Sequence, residues 1–175
     1  MAAPNVSIRE HRIPTAGSGP YICVEGPDRC LWFCESGTGK IGRLDPANGG
    51  FTEFALADPK ASPIGITVGA DGNLWFAQKS ANKIGRITLK GEVAEFAIPT
   101  PNSSLRGVTV GRDDNLWYTA NAVNKIGCMT PAGEVLGEFP IPTPASGARC
   151  IASMSDGRLF FTQWDAGLIG EVRVN

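Results

Sequence analysis

The chain has 175 residues, 42% of them hydrophobic and 19% charged, with 22 glycines and 13 prolines; at that length one domain buries a core of its own without metal or disulfide staples. A formal net charge of −1, and no apolar run near the roughly 18 residues that span a bilayer, exclude a polybasic nucleic-acid binder and a helical membrane protein. The opening Met1-Ala2-Ala3-Pro4-Asn5 has neither a basic nor an apolar leader region, so a cytoplasmic location is expected, with no nucleic acid and no membrane among the partners.

Residues 7–13 are of strand length and run into Ile13-Pro14-Thr15, a triplet that returns as Ile98-Pro99-Thr100 and Ile141-Pro142-Thr143. Next comes Leu31-Trp32-Phe33, with Lys40-Ile41-Gly42 starting nine residues after Leu31. This pair recurs as Leu74-Trp75-Phe76 with Lys83-Ile84-Gly85, as Leu116-Trp117-Tyr118 with Lys125-Ile126-Gly127, and as Leu159-Phe160-Phe161 with Leu168-Ile169-Gly170. Asp28, Asp71, Asp113 and Asp156 each stand three residues before the leucine, in turn-rich settings that read as hairpin connections.

The second copy divides into strand-length pieces at 65–68, 74–78, 84–89 and 93–98, separated by Gly or Pro turns. A period of about 42 residues with four antiparallel strands per unit marks an all-β fold, the β-propeller, whose blades bury their apolar faces only against one another. The chain is therefore expected to be one propeller domain, residues 1–175, with blades near 18–56, 61–98, 103–141 and 146–175. Trp32, Trp75 and Trp117 are expected between blades. The fourth copy ends before any counterpart of 93–98, so residues 7–13 are expected to supply that blade's outer strand and cover its edge.

Residues 65–78, Gly-Ile-Thr-Val-Gly-Ala-Asp-Gly-Asn-Leu-Trp-Phe-Ala-Gln, followed by Asn82-Lys83-Ile84-Gly85-Arg86-Ile87 and Ile98-Pro99-Thr100-Pro101, closely resemble the blades of the virginiamycin B lyase, or streptogramin lyase, family. The resemblance implies a propeller that normally has seven blades, with an active site on one face near the axis. It also implies opening of a cyclic depsipeptide at its ester by elimination with Mg²⁺. The family's general-base His stands just before an inner strand and its metal-binding Glu 14 residues later; a second metal-binding Glu stands two residues before the His. The first position here reads Tyr21, Ile64, Arg106 and Arg149, and the second reads Glu35, Gln78, Ala120 and Gln163. Arg149 and Gln163 stand for the His and Glu, and Gly147 for the second Glu. An elimination near neutral pH needs a base that titrates near 7, which neither Arg nor Gln supplies. His11, the only histidine, aligns with outer-strand Phe54, Phe96 and Phe139, away from the axis. No metal and no cofactor are expected.

The axial face is expected to collect Tyr21, Glu35, Ile64, Gln78, Arg106, Arg149 and Gln163, with Cys150 near the axis and Trp164 at the rim. In one reading Glu35 pairs with Arg149 or Arg106 and neutralises the ring. In the other the arginines hold a carbonyl or carboxylate while Glu35 or Tyr21 handles a proton. The five cysteines have no paired spacing suited to zinc and are expected as thiols. Family blades turn about 51° each in a ring of seven, whereas four would need about 90° and eight about 45°. A homodimer forming an eight-blade ring is therefore expected ahead of a compact monomer or a truncated or strand-swapped assembly. Two functions remain open ahead of a third, a metal-dependent streptogramin B lyase. One is a diverged enzyme acting on a cyclic or polyketide-like natural product by cyclisation, isomerisation or elimination; the other is a propeller that binds a small molecule or protein without chemistry.

Overall fold

The computed structural model describes residues 3–174. Four antiparallel sheets follow one another along the chain. The first is β1 (Pro20–Glu25), β2 (Leu31–Glu35), β3 (Lys40–Leu44) and β4 (Phe51–Ala55); the second is β5 (Pro63–Val68), β6 (Leu74–Gln78), β7 (Lys83–Ile87) and β8 (Val93–Ala97). The third is β9 (Leu105–Val110), β10 (Leu116–Ala120), β11 (Lys125–Met129) and β12 (Val135–Pro140), with one 3₁₀ turn at Asn121–Val123. The fourth has three strands, β13 (Ala148–Ser153), β14 (Leu159–Gln163) and β15 (Leu168–Val172). Each sheet is a meander, and the innermost strands β1, β5, β9 and β13 pack in chain order. These are propeller blades.

The repeated motifs hold each blade by two devices. In the first, the aspartate of the inner hairpin accepts the indole N–H of the tryptophan four residues on, at 2.9 Å for Asp28 and Trp32, 3.1 Å for Asp71 and Trp75, and 3.2 Å for Asp113 and Trp117. This lets a wholly or nearly buried indole satisfy its donor. In the second, the aromatic ring after the tryptophan lies across the glycine of the next strand. A Cβ on Gly42, Gly85 or Gly170 would stand 2.1–2.2 Å from the ring of Phe33, Phe76 or Phe161. The spacing between the Leu-Trp-Phe and Lys-Ile-Gly triplets therefore records one packing contact.

Side-chain alternation gives each blade two different faces. Trp32, Cys34 and Ile41 point forward onto Leu74, Phe76 and Ile87 of the second blade, and all six are fully buried. Trp75 and Ile84 meet Leu116 and Met129 in the same way, and Trp117 and Ile126 meet Leu159 and Phe161. Every internal junction thus sets a Trp/Ile face against a face of Leu with Phe or, in the third blade, Tyr118.

The two end faces have the same pattern without a mate. On the fourth blade Ile169, the counterpart of Ile41, Ile84 and Ile126, is 66% exposed, and on the first blade Leu31, the counterpart of Leu74, Leu116 and Leu159, is 37% exposed. The expected closure by residues 7–13 is not formed within this chain, because they belong to no strand and β15 has no fourth strand beside it. The reason is geometric. The segment lies against the first blade, where His11 faces Gly49 and Thr15 donates to Glu53, while β15 lies at the far end of the series.

Candidate functional site

The inner strand of every blade carries an irregularity in register at its start. Two residues of the inner strand, Tyr21 and Ile22, fall opposite one position of β2, between the pairs Pro20 with Glu35 and Cys23 with Phe33. The same shift occurs in β5 between Pro63 and Ile66, in β9 between Leu105 and Val108, and in β13 between Ala148 and Ile151. A bulge re-aims the side chains it carries. Here the bulges turn Tyr21, Ile64, Arg106 and Arg149 towards one cleft of about 50 Å³, completed by Ile22, Gly107 and Cys150. Gly65 and Gly107 let consecutive inner strands approach, since a Cβ at either would stand 2.3 Å and 2.6 Å from the carbonyl oxygens of Arg106 and Arg149.

The second set of expected site residues lies elsewhere. Glu35, Gln78 and Gln163 close their strands on the Leu/Phe face and are buried inside their blades; none lines the cleft. Gln78 donates its Nε2 hydrogen to Glu95 at 2.9 Å. Glu35 meets Thr38 at 3.3 Å and the carboxylate of Glu53, and pairs with neither Arg106 nor Arg149. Burial, and then the neighbouring Glu53, push the Glu35 carboxyl up to about 7. Burial opposes ionisation of Glu53 too, but Thr15, Glu35 and Lys40 outweigh it, so this carboxyl is held below its ordinary value. Of the two carboxyls, Glu35 is the one whose ionisation its surroundings oppose. Trp164 is 67% exposed and outside the cleft, with the Arg149 guanidinium stacked 4.2 Å from its ring centroid. The recurring Glu53, Glu95 and Glu138, each three residues before the outer-strand position of Leu56, Ile98 or Ile141, are the partners that sequence reasoning did not single out; their regular spacing is the signal that would have found them.

The cleft is lined by one phenol, one thiol, apolar surface and two arginines, and the guanidinium of Arg149 lies against the Trp164 ring. Arg106 and Arg149 have no carboxylate within ion-pair distance among the described residues, and the Nε of each is buried without a hydrogen-bond partner. No three His, Cys, Asp or Glu among the described residues converge on a point where a cation would bind. The donors needed for the Mg²⁺ that the family resemblance implies are not gathered here, because a hard dication requires oxygen ligands and the cleft presents cationic nitrogens. All five cysteines are free thiols; burial raises Cys34 well above the ordinary thiol range and Cys128 to about 12, so neither supplies a thiolate.

The family model described as virginiamycin B lyase matches residues 2–175. The chain belongs to the virginiamycin B lyase family. A catalytically inactive virginiamycin B lyase from Staphylococcus aureus, solved with quinupristin, superposes with a TM-score of 0.92 at 41% identity, over 95% of this chain and 56% of that one. A solved streptogramin B lyase superposes at 0.86 with 33% identity, covering 58% of its length. The virginiamycin B lyase of Streptomyces coelicolor is 42% identical over 52 residues, 30% of this chain and 17% of that protein. The chain thus spans little more than half the length of these solved relatives. Four blades of the seven implied by the resemblance are about 57% of a ring, which matches the 56% coverage and makes the four sheets an open arc with lyase curvature.

Proposed function

We propose that the concave face binds a small molecule through a carboxylate or polarised carbonyl held between Arg106 and Arg149, without the metal-assisted elimination that the family resemblance implies. The observation that carries this reading is the pair of arginines lining one cleft, neither with a carboxylate within ion-pair distance among the described residues. A guanidinium fork matches such an oxygen geometrically and is worth more where water is partly excluded. Tyr21, Ile64 and Cys150 supply contact surface. Glu35, Gln78 and Gln163 hold the blades and do not touch the ligand.

A second reading is favoured by family membership. A diverged enzyme would use the arginines to polarise a carbonyl of a cyclic or polyketide-like substrate for cyclisation, isomerisation or elimination, with Tyr21 as the proton carrier facing the cleft. Quinupristin is the probe that separates these readings. Elimination opens its ring without changing its mass, so turnover is followed by chromatography and binding by calorimetry. The expected outcome is no ring-opened product with excess Mg²⁺, and at least tenfold weaker binding for Arg106→Ala and Arg149→Ala. Native mass spectrometry of freshly purified protein tests the ligand class directly. Turnover that is lost in Arg149→Ala while binding persists selects the enzyme.

A further inference from the structure

We infer that the arginine pair of the cleft is a fixed clamp for a doubly charged oxyanion, a phosphoryl head on an apolar or aromatic body, and that it ranks such a ligand above one with a single carboxylate. This rests on the proposed reading of Arg106 and Arg149 as the groups that hold an oxygen of the ligand, and it adds the charge that the head must carry. Two cations on the neighbouring inner strands β9 and β13, with no carboxylate within ion-pair distance among the described residues, repel one another. A single negative charge leaves the pair incompletely neutralised, whereas a dianion offers an oxygen and a charge to each guanidinium. The cleft of about 50 Å³ has room for a compact head group. The body of the ligand then rests on Tyr21, Ile22 and Ile64, the apolar side of the same cleft.

The spacing of the two arginines is set by their backbones. Gly107, directly after Arg106, lies so close to the next blade that a Cβ there would stand 2.6 Å from the carbonyl oxygen of Arg149. Across this contact the buried Thr119 hydroxyl accepts the Gly107 N–H at 2.9 Å and donates to the Arg149 carbonyl at 2.7 Å. One side chain thus ties the residue that follows Arg106 to the backbone of Arg149. Ala77, its counterpart one blade earlier, has no group that could do this. The tie is made at the junction that the two arginines flank. Trp164 holds the Arg149 guanidinium at its outer end, 4.2 Å from the ring centroid, and stacking of this kind uses one face of the group and leaves its edge donors for a ligand. A clamp set in advance loses little side-chain freedom when it closes. Thr119 is its positioning residue.

The charges of the two middle blades favour the same ligand. At the cleft end their connecting loops carry Lys60 and Lys79 against Asp58, while Lys83 and Lys125 are held by Glu95 and Glu138. At the opposite end the hairpin turns carry Asp71, Glu92, Asp113, Asp114 and Glu134 against Lys90 and Arg112. An anion is therefore drawn to the end where the arginines stand and turned away from the other.

The test is calorimetry of the 175-residue chain at about pH 7.5 and low salt, with three probes that share one ring and differ in the head: phenyl phosphate, benzoate and benzamide. A phosphate monoester loses its second proton near pH 6, so these heads carry about two, one and no negative charges. Phenyl phosphate is expected to bind at least about tenfold more tightly than benzoate, and benzamide not at all. Added salt is expected to narrow the advantage. Arg106→Ala and Arg149→Ala are each expected to bring the two acids within about twofold of one another. Thr119→Val is expected to cut the preference about fivefold and Thr119→Ser to keep it, with urea midpoints measured alongside. A lowered midpoint with the preference unchanged in Thr119→Val would make Thr119 a core residue only and overturns its positioning role. Equal affinity for phenyl phosphate and benzoate, lost for both in the arginine variants, overturns the dianion clamp and leaves the single-carboxylate reading standing. An undiminished preference in Arg106→Ala overturns the clamp too, since the dianion is then held elsewhere. No binding of either acid up to about 10 mM overturns the reading of the arginine pair itself, and the clamp with it.

Discussion

Glu35 shows how a single position changes role with its surroundings. At the end of β2 it repeats the place of Gln78 on β6, but where the Gln78 amide donates to Glu95, Glu35 sets a second carboxyl beside Glu53, and burial together with that neighbour opposes its ionisation. Its carboxyl titrates near 7 when folded and near 4.5 when unfolded, so the native state binds more protons than the unfolded chain between those values. Stability is therefore full below about pH 4.5 as far as this group is concerned, and falls as pH rises through 7. Glu35→Gln removes that dependence and supplies the donor that Gln78 has. We expect the variant to gain on the order of 1–2 kcal/mol at pH 8 and little at pH 4.5, read from urea midpoints at the two pH values. An equal gain at both would mean that the two carboxylates do not share a proton.

At the scale of the element, the blade depends on contacts that leave no room for a methyl group. A Cβ at Gly85 would lie 2.2 Å from the Phe76 ring, which is itself fully buried between the first two blades. Overpacking of this kind costs about 2–3 kcal/mol, so Gly85→Ala is expected to lower the urea midpoint, with partial recovery in Gly85→Ala combined with Phe76→Leu. These contacts explain how much of the fold could be read in advance. The 42-residue period, the strands and the Trp cores are legible because each repeated residue has one fixed neighbour inside its blade. The cleft was half legible. Tyr21, Ile64, Arg106 and Arg149 lie where their place before the inner strand put them, whereas Glu35, Gln78 and Gln163 do not, because spacing along a strand does not say which side of the pleat meets the axis. The inner-strand bulges that aim the first set have no residue signature beyond the Gly65 and Gly107 that permit them. The closing strand was legible in register but not in partner, since the repeat gives the phase of residues 7–13 and not the curvature of the array.

Taken as a whole, the molecule is a short linear array in which each blade is stabilised by its neighbours, so stability is expected to be graded from the centre to the ends. The central blades have both faces covered; the first and fourth have one each, with Leu31 and Ile169 exposed on the open sides. Hydrogen exchange reads this gradient directly. In the 175-residue chain, amides of β15 are expected to exchange at least a hundredfold faster than those at matching positions of β7, with β2 intermediate because the N-terminal segment shields part of its face. The comparison is between equivalent hydrogen bonds in blades of one repeat, so the ratio isolates what a neighbouring blade contributes from what the blade supplies itself. Equal rates in β15 and β7 would show that the blades open together and that the array unfolds as one unit.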